Sequence, residues 1–422
     1  MEKPNDKTSG ILLDILWHTF FFILRPVRHH AITPALLTYA LLCRFIIGIF
    51  PCDATAGDVR GPYLTDLGPK WAQIVFHIET EKDPILQLKE KNGIRQVAPV
   101  QHGTARHLYP LQDLAPETRY SYHMEYNDPY NDSDRSRTKE FFFTTPSTGS
   151  RGFCFIAYGD SRDRHPTPER HRAVAANFLR HQPDFIINTG DILVGGETAS
   201  SSMFGNDWTK NFFGPLRGII EGVPYYPSVG NHDQDLKNGA AGMKMAFPRL
   251  ERSLYYSFDH NRVHVTVLHC ANRIVEFEKQ KQWFIKDTER AKDADWRIVI
   301  LHVSPFTTGK YAENKWTVGG RMEMLETFVK QGVDLVLSGH DHSYQRFYPL
   351  SAHPDDSHAV LFIVTGLAGT NPYFAKGNQY SAKVVNNMDH FCVIKVTSET
   401  LDISARDNDN RVLDHVVLSK EE

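Results

Sequence analysis

The sequence predicts an α/β domain of alternating strands and helices, preceded by a small all-β domain. Three observations carry this. From about residue 151 to 420, short apolar runs such as "FCFIAY", "DFIIN", "RIVIL" and "VDLVLS" alternate with helical patterns. From Gly61 to about Pro146 the pattern is β-like and rich in turn residues, with no helical period. A Pro/Ser/Thr/Gly linker, "TTPSTGSRG", divides the two textures.

The totals fit two domains. A chain of 422 residues exceeds one average domain, and 41% apolar with 23% charged residues is a globular composition. A formal net charge of −3 gives no case for nucleic-acid binding, which normally needs a basic excess. Five cysteines, Cys43, Cys52, Cys154, Cys270 and Cys392, form no CxxC pair, so a zinc knuckle or thioredoxin-type motif is excluded.

Residues 1–56 read as a signal peptide or membrane anchor region. A short apolar stretch, Ile11 to Leu24, leads to Arg25, Arg28, His29 and His30, then to a second stretch from Ala31 to Phe50. Ala54-Thr55-Ala56 fits the small-x-small pattern of a cleavage site. About twenty apolar residues also suffice for a retained anchor, although Arg44 is unfavourable at membrane depth. The expectation is an extracytoplasmic protein, secreted or periplasmic, with these segments able to contact or anchor it to a membrane.

In the all-β part, residues 60–146, "WAQIVFHIE" sets Ala72, Ile74, Phe76 and Ile78 against Gln73, Val75 and His77. Asn92-Gly93 signals a hairpin, and "YSYHMEY" and "KEFFFTT" supply further strands. Leu114-Ala115-Pro116-Glu117-Thr118-Arg119-Tyr120 resembles the LxPxTxY signature of fibronectin type III domains. That resemblance implies a β-sandwich with the Tyr120 hydroxyl bonded back to nearby backbone.

In the second part, residues 168–180 place Val174, Phe178 and Leu179 on one helical face. Residues 320–331 do the same with Met322, Leu325, Phe328 and Val329. Functional groups in α/β sheets gather beyond strand ends, so the residues after each apolar run matter most. "FCFIAY" is followed by Gly159-Asp160-Ser161-Arg162, and "DFIINT" by Gly190-Asp191 with Gly195-Gly196 close behind. "VPYYPSV" is followed by Gly230-Asn231-His232-Asp233, "RIVIL" by His302, and "VDLVLS" by Gly339-His340-Asp341-His342. Four of the five blocks open on glycine, which permits a sharp turn and close backbone approach. Period two puts His340 and His342 on one side of an extended segment and turns Asp341 away.

A single such block is an ordinary turn. Five at successive strand ends form a ligand set. Asp, Asn and His suit two borderline divalent ions (Fe, Mn or Zn), and the inventory is too large for one. Two ions roughly 3.5–4 Å apart, bridged by a carboxylate, suit hydrolysis of a phosphate ester by a metal-bound hydroxide.

The set GD…GDxxxxG…GNHD…H…GHxH resembles the calcineurin-like metallophosphoesterase superfamily. The preceding β-sandwich, "GHDHSYQR" and the tail "VTGLAGT…DHFCVIKV…LDISARDNDNRVLDHVVL" look like the purple acid phosphatase group. The resemblance covers roughly residues 60 to 418 and implies a four-layer αββα sandwich behind the all-β domain. It assigns Asp191 as the bridging carboxylate, Asp160 and His342 to the first metal, and Asn231, His302 and His340 to the second. His232 would stabilise the transition state or protonate the leaving oxygen, with Asp233 orienting it. Tyr344 and Arg346 match residues near the family's pocket and are candidate substrate contacts, as is Asn231.

Two positions depart from the family. The tyrosine whose phenolate colours the ferric ion is replaced by Val194, and a frequent histidine ligand is replaced by Arg162. Arg162 stays protonated and cannot be a ligand. It either forks onto the phosphate or makes an ordinary salt bridge. His165, His171 and His181, in or beside a charged helix, read as solvated; His264 and His269, flanking a strand, read as packed or hydrogen-bonded. The expected activity is hydrolysis of phosphorylated small molecules, first of all phosphomonoesters. The superfamily also cleaves diesters on the same core. A non-catalytic surface binding protein is the rival of a different class, but it requires eroded ligands, and here Asp191, Asn231, His302, His340, His342 and His232 all stand.

Overall fold

The computed structural model describes residues 59–420 apart from 102–104, 128–134, 150, 164–168, 196–202 and 236–238. The N-terminal apolar segments, Cys43, Cys52 and His165 lie outside the described residues. Among the described residues no helix is long and apolar enough to cross a membrane, and Cys154, Cys270 and Cys392 are free thiols.

Eight strands fill the first part: β1 (Val59–Gly68), β2 (Trp71–Ile78), β3 (Ile85–Glu90), β4 (Gly93–Val97), β5 (Arg106–Leu111), β6 (Arg119–Asn127), β7 (Arg135–Arg137) and β8 (Phe141–Thr144). The order β1-β2-β5 makes one sheet and β4-β3-β6-β7 the other, with β8 also on β6. The Asn92-Gly93 hairpin forms, with Glu90 opposite Gly93. Leu64, Ile74 and Phe76 from one sheet share a core with Leu86, Tyr122 and Phe143 from the other, so the two sheets form a sandwich. The Tyr120 hydroxyl accepts the Ala115 N–H at 2.8 Å, the return contact expected of it.

The alternation in β2 is misleading on one side. Val75 and His77 are as buried as Ile74 and Phe76. Their face packs on the α/β part: Val75 and Tyr63 belong to its core, and the Tyr63 hydroxyl contacts His77 Nε2 and donates to Ala246 O. Leu64 N–H donates to Ile220 O, and the Tyr122 hydroxyl donates to Glu221 O. These ties make residues 57–422 one compact unit.

The α/β part contains β9 (Phe153–Tyr158), β10 (Phe185–Asn188), β11 (Tyr225–Pro227), β12 (Tyr256–His260), β13 (Val263–Val267), β14 (Trp296–Val303), β15 (Leu335–Gly339), β16 (Tyr344–Phe347), β17 (Leu361–Thr365), β18 (Ser381–Val385), β19 (His390–Val396), β20 (Thr400–Asp407) and β21 (Val412–Ser419). One sheet runs β11-β10-β9-β19-β20-β21 and the other β12-β13-β14-β15-β17-β16-β18. Strands β9, β10 and β11 are parallel, as are β13, β14, β15 and β17. Strand β14 is apolar on both faces because both are covered. Ile298 and Ile300 enter the core between the sheets. Val299 and Leu301 enter a second core with Phe284 and Phe328, which sit on the helices Lys281–Arg290 and Arg321–Lys330. On the first sheet's side, Val174 of the helix Glu169–Ala175 and Met243 of the helix Ala241–Ala246 pack against the strands. Helix, sheet, sheet and helix make the expected four layers.

Three expectations need correction. Leu179 is 49% exposed because the helix ends at Ala175 and a 3₁₀ turn, Phe178–His181, rotates it outward. Met322 is 50% exposed, and Met324 takes the buried place on that helix. His171 is fully buried, its Nε2 3.2 Å from the Tyr158 hydroxyl, and burial pushes its pKa down to about 3.

His264 is hydrogen-bonded, as read from the sequence. It lies between Asp259 (2.7 Å) and Asp287 (3.1 Å), joining β12, β13 and the helix Lys281–Arg290. Burial alone lowers its pKa, but the two carboxylates outweigh burial and raise it from 6.5 to about 9. A raised folded-state pKa stabilises fully below the unfolded value of 6.5 and is lost as pH rises through about 9. Denaturant unfolding of wild type and His264→Gln between pH 6 and 10 should show a wild-type advantage on the order of 2 kcal/mol at pH 6, vanishing by pH 10.

Candidate metal centre

The five strand-end blocks meet on one side of the two sheets, each placed by a local turn. Asp160, Asp191 and His340 all have left-handed backbone, with φ of 51°, 59° and 67°. Such values in non-glycine residues persist only where the surroundings over-determine them. Here the glycines leave the room. A Cβ on Gly230 would lie 2.2 Å from Asp191 Oδ1, and one on Gly339 would lie 2.4 Å from Asp160 Oδ2.

The first group is Asp160, Asp191 and His342, whose ligand atoms all lie within 4.8 Å of one another. His342 Nε2 is 3.3 Å from Asp160 Oδ1, and that oxygen is buried with no hydrogen-bond partner. Asp160 Oδ2 accepts the His340 N–H at 2.9 Å. The second group forms around His302, whose Nε2 is 3.0 Å from Asn231 Oδ1, 3.2 Å from His340 Nδ1 and 3.4 Å from Asp191 Oδ1. Asp191 belongs to both groups. All six residues expected as metal ligands are therefore brought together.

The donors suit cations. His302 and His342 each place Nδ1 on a backbone carbonyl, Thr189 O at 2.9 Å and Asn371 O at 2.6 Å. A proton held there leaves the Nε2 lone pair facing the centre. Burial, with Arg162 next, pushes the His342 pKa down to about 4, and burial holds His340 well below its usual value. Two neighbouring buried carboxylates cannot both ionise easily without a cation. Burial pushes Asp160 up to about 8, while His302 and Arg162 hold Asp191 low against the cost of its burial. The orphaned Asp160 oxygen and the converging lone pairs fit two divalent ions.

Several expected contacts are replaced. Asp233 does not orient His232. Its carboxylate accepts backbone N–H groups from Asp191, Ile192, Leu193 and Gly230, at 2.8–2.9 Å. His232 is oriented by Val194, whose carbonyl lies 2.7 Å from Nδ1. Arg162 takes the salt-bridge alternative: Nε donates to Asp191 Oδ2 and Nη1 to Thr370 Oγ1, both at 3.1 Å. Tyr344 and Arg346 are engaged elsewhere. Both donate to the Asp414 carboxylate of β21, and the Tyr344 side chain is buried in the core between the sheets.

Sequence reading missed the aromatic cover. The Tyr311 ring stacks on His340 at 4.1 Å and 25°, and the Tyr373 ring on His342 at 3.9 Å and 14°. Asp341 points away from the ligands, as its period demands, and accepts N–H groups from Lys310 and Tyr311 and the Thr307 hydroxyl. The signal for Tyr373 was a sixth strand end: β17 runs into Gly366, where a Cβ would lie 2.5 Å from Asp341 O. No ligand-type residue follows immediately, and the "VTGLAGT" run there is read only as part of the family-like tail.

With this geometry in place, the comparisons with known proteins are specific. Residues 163–344 match the calcineurin-like phosphoesterase family. An uncharacterized protein of Mycobacterium tuberculosis is 26% identical over 57% of this chain and 50% of its own length. Acid phosphatase type 7 of Mus musculus is 22% identical over 75% of this chain and 80% of its own. Purple acid phosphatase 1 of Ipomoea batatas is 23% identical over 57% and 51%. The chain spans about half the length of the first curated relatives it matches. A purple acid phosphatase from yellow lupin (Lupinus luteus) seeds shares the fold, with a TM-score of 0.71 at 15% identity over 86% of this chain and 74% of that one. The protein carries a calcineurin-like phosphoesterase domain. Its homologues include purple acid phosphatases.

Val194 stands where a coordinating phenolate would give colour, and Tyr311 and Tyr373 cover the histidines by stacking. Protein reconstituted with ferric and a divalent ion should show no visible tyrosinate–iron charge-transfer band. A purple preparation would mean that a tyrosine reaches the first metal.

Proposed function

We propose that the protein hydrolyses phosphate esters, most directly phosphomonoesters of small molecules, on a two-metal centre. The carrying observation is the carboxylate of Asp191, which belongs to both ligand groups at once. Two divalent ions, when bound, supply electrophilic activation of the phosphoryl group and of water.

The chain's own residues hold and orient the rest. Asp160, Asp191 and His342 form one ligand set, and Asp191, Asn231, His302 and His340 the other. Arg162 tethers Asp191 to the Thr370 loop and offsets part of the charge that two buried carboxylates concentrate there. His232 presents Nε2 because Nδ1 faces the Val194 carbonyl. Burial lowers its pKa, which favours the neutral ring. A phosphate beside it raises its proton affinity, and a proton taken at Nε2 is available to the leaving oxygen. Export, read from residues 1–56, would place this activity outside the cytoplasm.

The test is Asp191→Asn. Metal-reconstituted wild type should hydrolyse an aryl phosphate monoester. The variant should lose at least about a hundredfold in kcat/KM together with bound metal measured by elemental analysis. Full activity in the variant would overturn the two-metal reading.

A further inference from the structure

The cover over the ligand histidines carries a cation. Lys310 Nζ lies 4.2 Å from the centre of the Tyr373 ring and 5.2 Å from that of Tyr311. Tyr373 in turn stacks on His342, and Tyr311 on His340, so the ammonium stands one ring away from each histidine. Its placement is built. Asp341 accepts the backbone N–H of Lys310 at 3.0 Å, Gln345 Oε1 accepts that of Thr308 at 2.7 Å, and Gly377 N–H donates to Thr308 Oγ1 at 3.2 Å.

Three arginines around the centre are neutralised. Arg162 is paired with Asp191, Arg170 with Asp389 and Arg346 with Asp414. Lys310 has no carboxylate at ion-pair distance among the described residues. Phenol oxygens and ring faces stabilise its charge instead. Its side chain is exposed, so an incoming anion reaches it without breaking a salt bridge.

We infer that Lys310, held by Tyr311 and Tyr373, is a specificity-determining residue that reads the second negative charge of a phosphomonoester dianion. The inference rests on the phosphoesterase reading and deepens it. At neutral pH a monoester carries close to two negative charges and a diester one. An uncompensated ammonium one ring away from the ligand histidines favours the first, because hydrogen bonds between charged groups are the stronger ones.

The experiment compares the Mn(II)-loaded full chain with Lys310→Gln and Lys310→Arg. Calorimetry measures binding of inorganic phosphate and of dimethyl phosphate, and turnover is followed on phenyl phosphate and diphenyl phosphate. Lys310→Gln should weaken phosphate binding and lower kcat/KM for the monoester by about tenfold, the size of one charge-assisted hydrogen bond, and change the diester values by less than about twofold. Lys310→Arg should restore most of the monoester preference. Equal losses on both ligands, no loss on either, or no binding of either anion by wild type overturns the inference. If wild type binds phosphate with the Lys310-dependent preference yet turns over neither ester, the inference stands and the hydrolase reading fails.

Discussion

The site depends on a carboxylate that coordinates nothing. Asp233 is fully buried and spends both oxygens on four backbone N–H groups, three from the loop after β10 and one from the loop after β11. Those loops bear Asp191 and Asn231, and Val194, which orients His232, lies just beyond the three bonded amides. A carboxylate accepting several backbone N–H groups defines their positions more tightly than any single side-chain contact. Burial and the nearby charge of Asp191 push its pKa up to about 7, the cost of placing a second carboxylate behind the first. Asp233 thus adds four bonds to the tie that His232 makes to the Val194 carbonyl between the same two loops.

The fold was legible because both cores are read from period two. Strand β14 alternates Ile298 and Ile300 with Val299 and Leu301, and each pair enters a different core. The ligands were legible because they are chemically rare residues at strand ends, preceded by glycines with no room for a side chain. Neighbours in the chain were harder to read. Asp233 follows His232 yet faces the opposite way, toward amides. Tyr344 and Arg346 follow the last ligand yet belong to a strand whose partner, Asp414, lies 68 residues from Arg346. Proximity in sequence says little about which side of a strand end a residue faces. Tyr311 and Tyr373 were invisible for a related reason: aromatic residues in loops carry no pattern until the backbone brings them over a ring.

The centre also lies where parallel strands from two sheets end together. In one sheet β9, β10 and β11 deliver Asp160, Asp191 and Asn231; in the other β14 and β15 deliver His302 and His340. Each ligand group draws on both sheets. Its geometry is therefore set by how the sheets pack, and the dry core between them, from Phe155 to Ile363, keeps that packing fixed.

The buried outer face of β2 makes the two parts depend on each other. The sandwich closes its own core within residues 59–144. Tyr63 and His77 instead meet Phe213, and the Tyr63 hydroxyl donates to Ala246 O, more than a hundred residues further along the chain. A sandwich severed from the α/β part would present that apolar patch, with one imidazole in it, to water. In the intact protein burial, with Arg106 next, drives the His77 pKa down to about 3, and its Nε2 faces the Tyr63 hydroxyl.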